Sequence, residues 1–366
     1  VQNTVGPEEY GVYFALFNFV YLFQIFNDLG IQNFNHSVYS KHDHLIPKYL
    51  PRLLGARSLL AVGFVLITTI AGWLLGYRQL AWTYLLILAG NQVMASMVLF
   101  LRTNLSARGF YRLDSLLSVL DKSLMIIVMG SLLWIWTPQP FTIAIFIWAQ
   151  SACLFLTLIV AIALVVYHDI LLLPAIRLDL RYTRWVLRKS LPYALVLLLM
   201  TLYTRMDAVM LERLSIRGDE QAGISAASYR ILDAFSMVGL LFAGLLLPMF
   251  AKRLVQRKGV GGLVHTAASL LWAGSVTVVL VCLFFAQPLI AWLYTGADSY
   301  WSAVFQMLMP SYIAISPAYV YGTLLTAHES IRVMNLIFVM GVMINAILNV
   351  IFILQWQAWG AALATV

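Results

Sequence analysis

A long apolar helix opens with Gly6-Pro7-Glu8-Glu9-Tyr10-Gly11, and a second one, 212 positions later, opens with Gly218-Asp219-Glu220-Gln221-Ala222-Gly223. Farther along, the sequence LSARGFYR at 105–112 returns as LTAHESIR at 325–332, at an offset of 220. Two matches in the same order and at nearly the same offset predict a duplicated unit of about six helices. Internal duplication of membrane helices is typical of transporters, in which the substrate path runs between the two halves.

The composition is that of a membrane protein. Of the 366 residues, 62% are hydrophobic and 10% are charged, and the mean hydropathy is +0.88, whereas soluble domains average about 25% charged residues. Cys153 and Cys282 lie in apolar runs, so we expect neither a disulfide framework nor a metal site. His36, His42 and His44 have the short, flexible spacing of a solvated loop rather than that of metal ligands.

The sequence contains no nucleotide-binding loop, nucleophile elbow or zinc motif. We therefore expect no enzyme activity, no cofactor and no metal. The net charge of +8 would suggest a nucleic-acid partner in a soluble chain, but in a membrane chain its distribution matters more than its sum. No nucleic-acid partner is expected.

Ten apolar stretches are long enough to cross about 30 Å of hydrocarbon. We place them at 11–35, 53–76, 80–102, 112–136, 141–167, 191–211, 223–250, 261–286, 300–326 and 331–355. Pro310 and Pro317 are expected to kink the ninth. Seventeen Lys and Arg residues, Arg57 among them, fall in one alternating set of connections and three in the other. The first set is therefore predicted to be cytoplasmic, with both ends of this chain on the outer side.

The repeat assigns each span a place in the duplicated unit. The spans at 141–167 and 191–211 have no counterpart here, so we expect a protein of at least twelve spans that lacks its first and its last in this chain. Corresponding spans are six apart and point the same way, which predicts a parallel repeat. The chain then divides into an N-terminal lobe at 1–172, a linker at 173–190 and a C-terminal lobe at 191–366.

The linker at 173–190 is too polar to be a span. Its arginines recur at spacings of four, three and four on one helical face, namely Arg177, Arg181, Arg184 and Arg188. We interpret it as a basic interfacial helix that rests on anionic lipid. The alternative is a surface that recruits an anionic substrate on the cytoplasmic side.

Polar side chains inside the spans mark a candidate substrate path, because ionisable groups in hydrocarbon cost several kcal/mol. A polar stripe runs along the first span through Asn18, Tyr21, Gln24 and Asp28, with Asn27 beside it. Such a stripe needs either water or a polar partner. Asp121 and Lys122 lie in a span that we expect at the periphery of its lobe, where pairing with each other is the favoured interpretation.

Four further charged residues lie in two spans of the second half, namely Arg205, Asp207, Arg230 and Asp233. In a structural interpretation, Arg230 and Asp233 form an intrahelical ion pair. In a functional one, Arg205 and Arg230 face a water-filled cavity and bind an anionic head group, since arginine stays charged and offers a planar fork of donors to phosphate. Arg205 favours the functional interpretation, because Asp207 lies on nearly the opposite side of its helix.

Four stretches resemble the Wzx-type polysaccharide flippases of the multidrug/oligosaccharidyl-lipid/polysaccharide exporter superfamily. GPEEYG at 6–11 with DLGI at 28–31 resembles their second helix, 191–207 their seventh, 222–248 their eighth, and WGAALAT at 359–365 the start of their twelfth. The resemblance implies an all-α polytopic membrane protein with two parallel six-helix lobes in a V. It places five residues at the cavity wall, namely Asp28, Arg205, Asp207, Arg230 and Asp233.

The resemblance also implies a function. A multi-pass protein of the bacterial inner membrane would carry a polyprenyl-pyrophosphate-linked oligosaccharide across by alternating access, for surface polysaccharides such as the O-antigen of lipopolysaccharide. Its partners would be the lipid-linked oligosaccharide, membrane lipid, a glycan polymerase and glycosyltransferases. Two alternatives stay open: a cation-coupled drug or metabolite exporter of the same superfamily, and a non-transporting membrane scaffold for glycan-assembly enzymes. A flippase for peptidoglycan precursors is a close variant of the first interpretation.

Overall fold

The computed structural model describes residues 1–32, 46–77, 79–135, 141–168, 170, 177–328 and 330–366. Within these ranges every regular element is a helix, because a backbone in lipid must satisfy its hydrogen bonds within the segment. Eight spans in the described ranges are long and apolar enough to cross a membrane. The chain is therefore an all-helical, multi-pass membrane protein, as predicted. His36, His42 and His44 lie outside the described residues.

The described residues of the first half of the chain form α1 (Gln2–Val5), α2 (Pro7–Leu22), α3 (Gln24–Asp28), α4 (Ile46–Leu74), α5 (Gln79–Ala107), α6 (Tyr111–Gly130), which a π-helical turn extends over Ser131–Ile135, and α7 (Ile143–Tyr167). Those of the second half form α8 (Leu180–Leu214), α9 (Gly218–Val255), α10 (Gly261–Phe284), α11 (Ala286–Leu293), α12 (Ser299–Leu308), α13 (Ser311–Ala327) and α14 (Ile331–Thr365). The kink predicted at Pro310 is confirmed, since the helix is interrupted there between α12 and α13, whereas Pro317 lies inside α13 without interrupting it.

The first of two compact units consists of residue 1 and Leu16–Thr201. Its core is made by apolar side chains of α4, α5 and α7, among them Leu53, Phe100 and Val165. The start of α8 packs on this core through Val186. The arginines at 181, 184 and 188 are exposed on the surface of this unit. Helix α8 continues through residue 190, the predicted end of the linker, without interruption.

The second unit consists of Gln2–Ala15 and Leu202–Val366. Its core brings together small and large apolar side chains of α9, α11, α12 and α14, namely Ala227, Ile290, Phe305, Leu308 and Ala361. Helices α10 and α13 add a smaller cluster around Leu271 and Val320. Most of the charged residues proposed for the substrate path lie on the helices of this unit.

The two duplicated motifs contact each other within the second unit. A Cβ atom added to Gly11 would lie 1.7 Å from the carbonyl oxygen of Asp219, and one added to Gly223 would lie 2.0 Å from that of Pro7. Pro7 and Gly11 are the repeat counterparts of Asp219 and Gly223, so the contact is reciprocal. Glycine at both positions lets the backbones of α2 and α9 meet, as small residues do between membrane helices.

The first predicted span, 11–35, is not one continuous helix. Helix α2 ends at Leu22, and α3 covers only the five residues Gln24–Asp28. The backbone nitrogen of Phe23 donates to the oxygen of Val20 at 3.2 Å, and that of Phe26 donates to Phe23 at 2.9 Å. Such three-residue bonds tighten the turn and rotate the residues that follow. The spacing rule that placed the polar stripe on one face therefore fails beyond Phe23.

The predicted count of ten spans exceeds the eight found in the described ranges by two. One of the two is the interrupted span at 11–35. The other, 191–211, lies within α8, several of whose side chains lie outside the described residues. The difference concerns the count and leaves the all-helical class unchanged.

Helix α14 contains a reversal of the chain. Gln357 has non-helical angles, with φ 55° and ψ −129°. The side-chain nitrogen of Asn345 donates to the carbonyl oxygen of Ala364 at 3.5 Å, although the two residues are 19 apart, which in a straight helix would separate them by about 28 Å. The chain therefore turns back at Gln357, and the stretch at 359–365 runs along the end of the preceding helix.

Candidate functional site

Asp28, a residue of the predicted polar stripe, forms an ion pair with Arg57 inside the first unit. One of its carboxylate oxygens accepts a hydrogen bond from Nη1 of Arg57 at 2.6 Å, and the side chains are 15% and 3% exposed. Arg57 also donates to the backbone oxygen of Ser96 at 3.2 Å and lies 4.6 Å from the ring centre of Phe100. Arg57, predicted to lie in a cytoplasmic connection, lies inside α4. The geometry is that of a structural pair.

The other stripe residues also lie inside the first unit. Asn18 is 1% exposed and Asn27 is 2% exposed. The side-chain nitrogen of Asn27 donates to the backbone oxygen of Gln92 at 3.4 Å. The buried Oε1 atom of Gln24 has no hydrogen-bond partner among the described residues. Asn18, Asn27 and Asp28 therefore lie against other parts of the protein, and Gln24 retains an acceptor without a partner among the described residues.

Asp207 is the centre of a polar cluster in the second unit and is only 4% exposed. Its Oδ1 accepts from Nδ2 of Asn349 at 2.8 Å. Its Oδ2 accepts from the hydroxyls of Tyr229 at 2.9 Å and Thr365 at 3.0 Å. Nδ2 of Asn349 also lies 3.1 Å from Oδ1 of Asn345. Two helices, α9 and α14, thus supply neutral partners to one buried carboxylate of α8.

The cluster around Asp207 is rich in oxygen atoms of the kind that hard cations prefer. It holds the carboxylate, the side-chain oxygen of Asn345 and the hydroxyl of Thr365, and the buried Oδ1 of Asn349 has no hydrogen-bond partner among the described residues. Among those residues no group of three His, Cys, Asp or Glu side chains could hold a metal ion. A single carboxylate with neutral oxygens fits a small monovalent cation, whose charge it would balance.

Arg230 lies on α9, just under two helical turns beyond Gly223 of the reciprocal glycine contact. Its guanidinium lies 4.1 Å from the ring centre of Tyr10, and it interacts with the phenol groups of Tyr10 and Tyr294. Among the described residues no ion pair joins Arg230 to Asp233, so the proposed intrahelical pair is not formed. Arg230 is half-buried and is held in place by aromatic rings.

Arg205 and Asp233 interact electrostatically across two helices of the second unit. Arg205 is half-buried and the side chain of Asp233 is exposed. Arg205 and Asp207 are two residues apart on α8 and, as expected from that spacing, interact with different groups. The structure therefore separates these four charged residues into three environments: the Asp207 cluster, the electrostatic interaction of Arg205 with Asp233, and the contact of Arg230 with tyrosine rings.

Sequence reasoning missed most of the partners of these residues. Asn345 and Asn349 are a polar pair, four residues apart, in an otherwise apolar helix, and this spacing was a usable signal. Tyr229 and Thr365 gave none, because a single hydroxyl in a membrane helix often bonds to its own backbone. The predicted pairing of Asp121 with Lys122 is confirmed.

Fold and site together define a class: a multi-pass helical membrane protein with the fold of transporters and with charged groups buried among its spans. Residues 1–254 match the model of the polysaccharide biosynthesis protein family. The match covers more than half of the chain, and the protein belongs to this family.

Solved structures of transporters share the fold. The lipid II flippase MurJ, in an inward closed conformation, is similar over 98% of this chain and 78% of its own, with a TM-score of 0.76 at 14% identity. An inward-facing multidrug resistance MATE family transporter of the MOP superfamily is similar over 99% and 87%, with a TM-score of 0.72 at 15% identity. A MOP superfamily transporter from Pyrococcus furiosus is similar over 98% and 83%, with a TM-score of 0.62 at 14% identity. A comparison with curated proteins gives no match.

Proposed function

We propose that this protein translocates a polyprenyl-pyrophosphate-linked oligosaccharide across the bacterial inner membrane by alternating access. Its family is that of polysaccharide biosynthesis proteins, and its fold is that of MOP superfamily transporters. An anionic head group must shed much of its water inside the membrane, and a fixed cation offsets that cost. Binding of such a head group thus requires a guanidinium that lies inside the protein and is not neutralised by a carboxylate.

Arg230 is the observation that carries the proposal. It is half-buried on α9, its guanidinium lies on the ring of Tyr10, and among the described residues it forms no ion pair with a carboxylate. The phenols orient the fork of donors without neutralising its charge. A guanidinium in this state suits a pyrophosphate, whose oxygens accept paired hydrogen bonds. Arg205, balanced by Asp233, would be a second contact for the head group.

The cluster around Asp207 favours a role for a cation in the cycle. A ligand can drive a conformational switch only if it binds the two states with different affinity. A small monovalent cation bound by Asp207, Asn345, Asn349 and Thr365 would tie α8 to both legs of α14 and so bias one state. The same observation supports the second candidate function, a cation-coupled drug or metabolite exporter. The substrate of that exporter would be a cation or a neutral amphiphile, which Arg230 disfavours.

The cellular setting follows from the substrate. A lipid-linked oligosaccharide is made on one face of the inner membrane and polymerised on the other, so we place a glycosyltransferase before this protein and a glycan polymerase after it. The product would be a surface polysaccharide such as the O-antigen of lipopolysaccharide.

The test is translocation of a fluorescent polyprenyl-pyrophosphate oligosaccharide in proteoliposomes, measured by quenching of the outward-facing label with dithionite. Arg230→Ala removes a charge-assisted contact worth about 1.5–3 kcal/mol, and we expect the initial rate to fall by about ten- to a hundredfold. Arg230→Lys keeps the charge but not the planar fork of donors, so its initial rate should lie between those of the wild type and Arg230→Ala. The control is Arg217→Ala, because the Arg217 side chain is 72% exposed. An unchanged rate in Arg230→Ala, at equal protein incorporation, removes Arg230 from the mechanism and with it the main support for the proposal.

A further inference from the structure

The reversal of the chain at Gln357 forms a pocket that is lined by none of the residues proposed for the substrate path. The pocket has a volume of about 340 Å³ and is lined by Tyr300, Gln355, Trp356, Gln357 and Trp359. All five side chains belong to the second unit. Three are aromatic, two are amides and none is charged. The distribution of basic residues predicts that this turn lies on the outer side of the membrane.

Two side chains from other helices hold the turn in place. Oε1 of Gln221 accepts hydrogen bonds from the hydroxyl of Tyr300 at 3.0 Å and from the backbone nitrogen of Ala358 at 3.2 Å. The backbone nitrogen of Trp359 donates to the hydroxyl of Tyr300 at 3.4 Å. Gln221 belongs to the duplicated motif, so the repeat itself anchors the turn. The pocket is therefore built by the fold and does not depend on a loose loop.

Gln357 is held in a backbone conformation that residues other than glycine rarely adopt, with φ 55°. Such strain persists where the surroundings enforce it, and it often occurs at ligand sites. Asn345, Ala364 and the anchors of the turn enforce it here. A glycine would adopt this conformation without strain, yet the chain carries a long amide side chain at the wall of the pocket.

The indole rings present two surfaces at a steep angle. The rings of Trp356 and Trp359 lie 5.7 Å apart with an interplanar angle of 82°, and Trp356 is 46% exposed. A pyranose ring has an apolar face of C–H groups and a rim of hydroxyls. An exposed indole can cover that face, and amides can donate to and accept from the hydroxyls. The absence of charge in the five lining side chains fits a neutral sugar.

We propose that the pocket at the Gln357 turn binds a neutral pyranose of a saccharide on the outer side of the membrane. The inference rests on the proposed function only for the source of the sugar, which would be the translocated oligosaccharide. Trp356 would stack on the ring, and Gln355 and Gln357 would bond to its hydroxyls. Such a site would hold the head group after it has crossed.

The test is binding of soluble sugars to the purified full chain in detergent, followed by saturation-transfer NMR and by quenching of tryptophan fluorescence. The probes are glucose, galactose, N-acetylglucosamine and N-acetylgalactosamine. We expect saturable binding of at least one, weakened about tenfold in Trp356→Ala, since the loss of one aromatic contact costs that order. Gln357→Gly relieves the strained backbone and removes only the amide, so it should fold normally and bind more weakly. Trp292→Ala is the control, because Trp292 is 81% exposed, belongs to the same unit and lies outside the pocket.

Two results would overturn the inference: no saturable binding of any of the four sugars, or full binding in Trp356→Ala and Gln357→Gly. Quenching of Trp356 by brominated lipid that no sugar reverses would show a membrane anchor instead. Sugar binding without translocation would refute the proposed function alone, and translocation without sugar binding would refute this inference alone.

Discussion

Two aspartates inside this protein, one in each unit, have opposite surroundings. Asp28 meets the guanidinium of Arg57 at 2.6 Å, and that arginine is buried too. Asp207 accepts from Asn349, Tyr229 and Thr365, all of them neutral. A carboxylate in an apolar helix is costly in both cases. In the first unit the chain supplies the compensating charge, whereas in the second the neighbours of the carboxylate supply only dipoles.

The difference distinguishes a structural ion pair, that of Asp28 with Arg57, from a candidate binding site, the cluster around Asp207. An ion pair with a buried partner has no reason to exchange with a ligand, since removing either member exposes the other to a low-dielectric interior. A carboxylate with only neutral partners still lacks a counter-charge when it is ionised, and a bound cation can supply one. Polar residues inside membrane spans are therefore weak evidence for a substrate path until their partners are known.

The largest effect on stability should come from breaking the ion pair of Asp28 with Arg57. Arg57→Ala leaves Asp28 without its partner, and we expect a loss of about 3–5 kcal/mol in the free energy of unfolding. Thermal unfolding in detergent, together with abundance in the membrane, measures this loss. The double variant Asp28→Leu/Arg57→Met replaces the pair by apolar groups and should recover much of it.

The pair of Arg102 with Asp114 is the matched control for that experiment. Its members lie 2.8 Å apart, against 2.6 Å in the buried pair, but are 22% and 28% exposed. Partly exposed pairs contribute less, typically up to about 1 kcal/mol. If Arg102→Ala costs as much as Arg57→Ala, burial of the Asp28 pair does not explain its role.

A smaller effect should come from neutralising the site. Asp207→Asn nearly keeps the shape of the side chain but removes the charge that a cation needs. In the wild type, Na⁺ at ten times its dissociation constant should stabilise the fold by about 1.4 kcal/mol, and in Asp207→Asn this gain should vanish. The measurement is the unfolding midpoint in NaCl against choline chloride at equal ionic strength. Equal midpoints of the wild type in both salts would contradict the cation site, and a Na⁺ gain in Asp207→Asn would place it elsewhere.

The sequence revealed the helical class, the repeat and the charged residues, because hydropathy and glycine spacing are local signals. It did not reveal the break at Phe23, which arises from hydrogen bonds three residues apart in an apolar stretch with no proline or glycine. It also gave no partner for Asp207, whose hydrogen bonds reach residues up to 158 positions away. Hydrogen bonds between residues so far apart in the chain depend on how the helices pack, and a single sequence does not show that packing.

The duplicated motif shows both sides of this limit. GPEEYG and GDEQAG were recognised as counterparts, yet their direct contact through Gly11 and Gly223 came only from the structure. The second role of the motif, in which Gln221 anchors the Gln357 turn, has no counterpart in the spacing of the sequence. Repetition predicted that the two segments would be alike, and packing determined what each of them contacts.

The most direct test of the account is substrate choice by the wild type in proteoliposomes. Translocation of a polyprenyl-pyrophosphate oligosaccharide and uptake of the cationic dye ethidium would be measured in the same preparation, with Na⁺ present. We expect translocation of the lipid-linked sugar and no uptake of ethidium above that of empty liposomes, because Arg230 favours a phosphate and repels a cation. Uptake of ethidium without translocation of the lipid-linked sugar would contradict the account and identify a cation-coupled exporter.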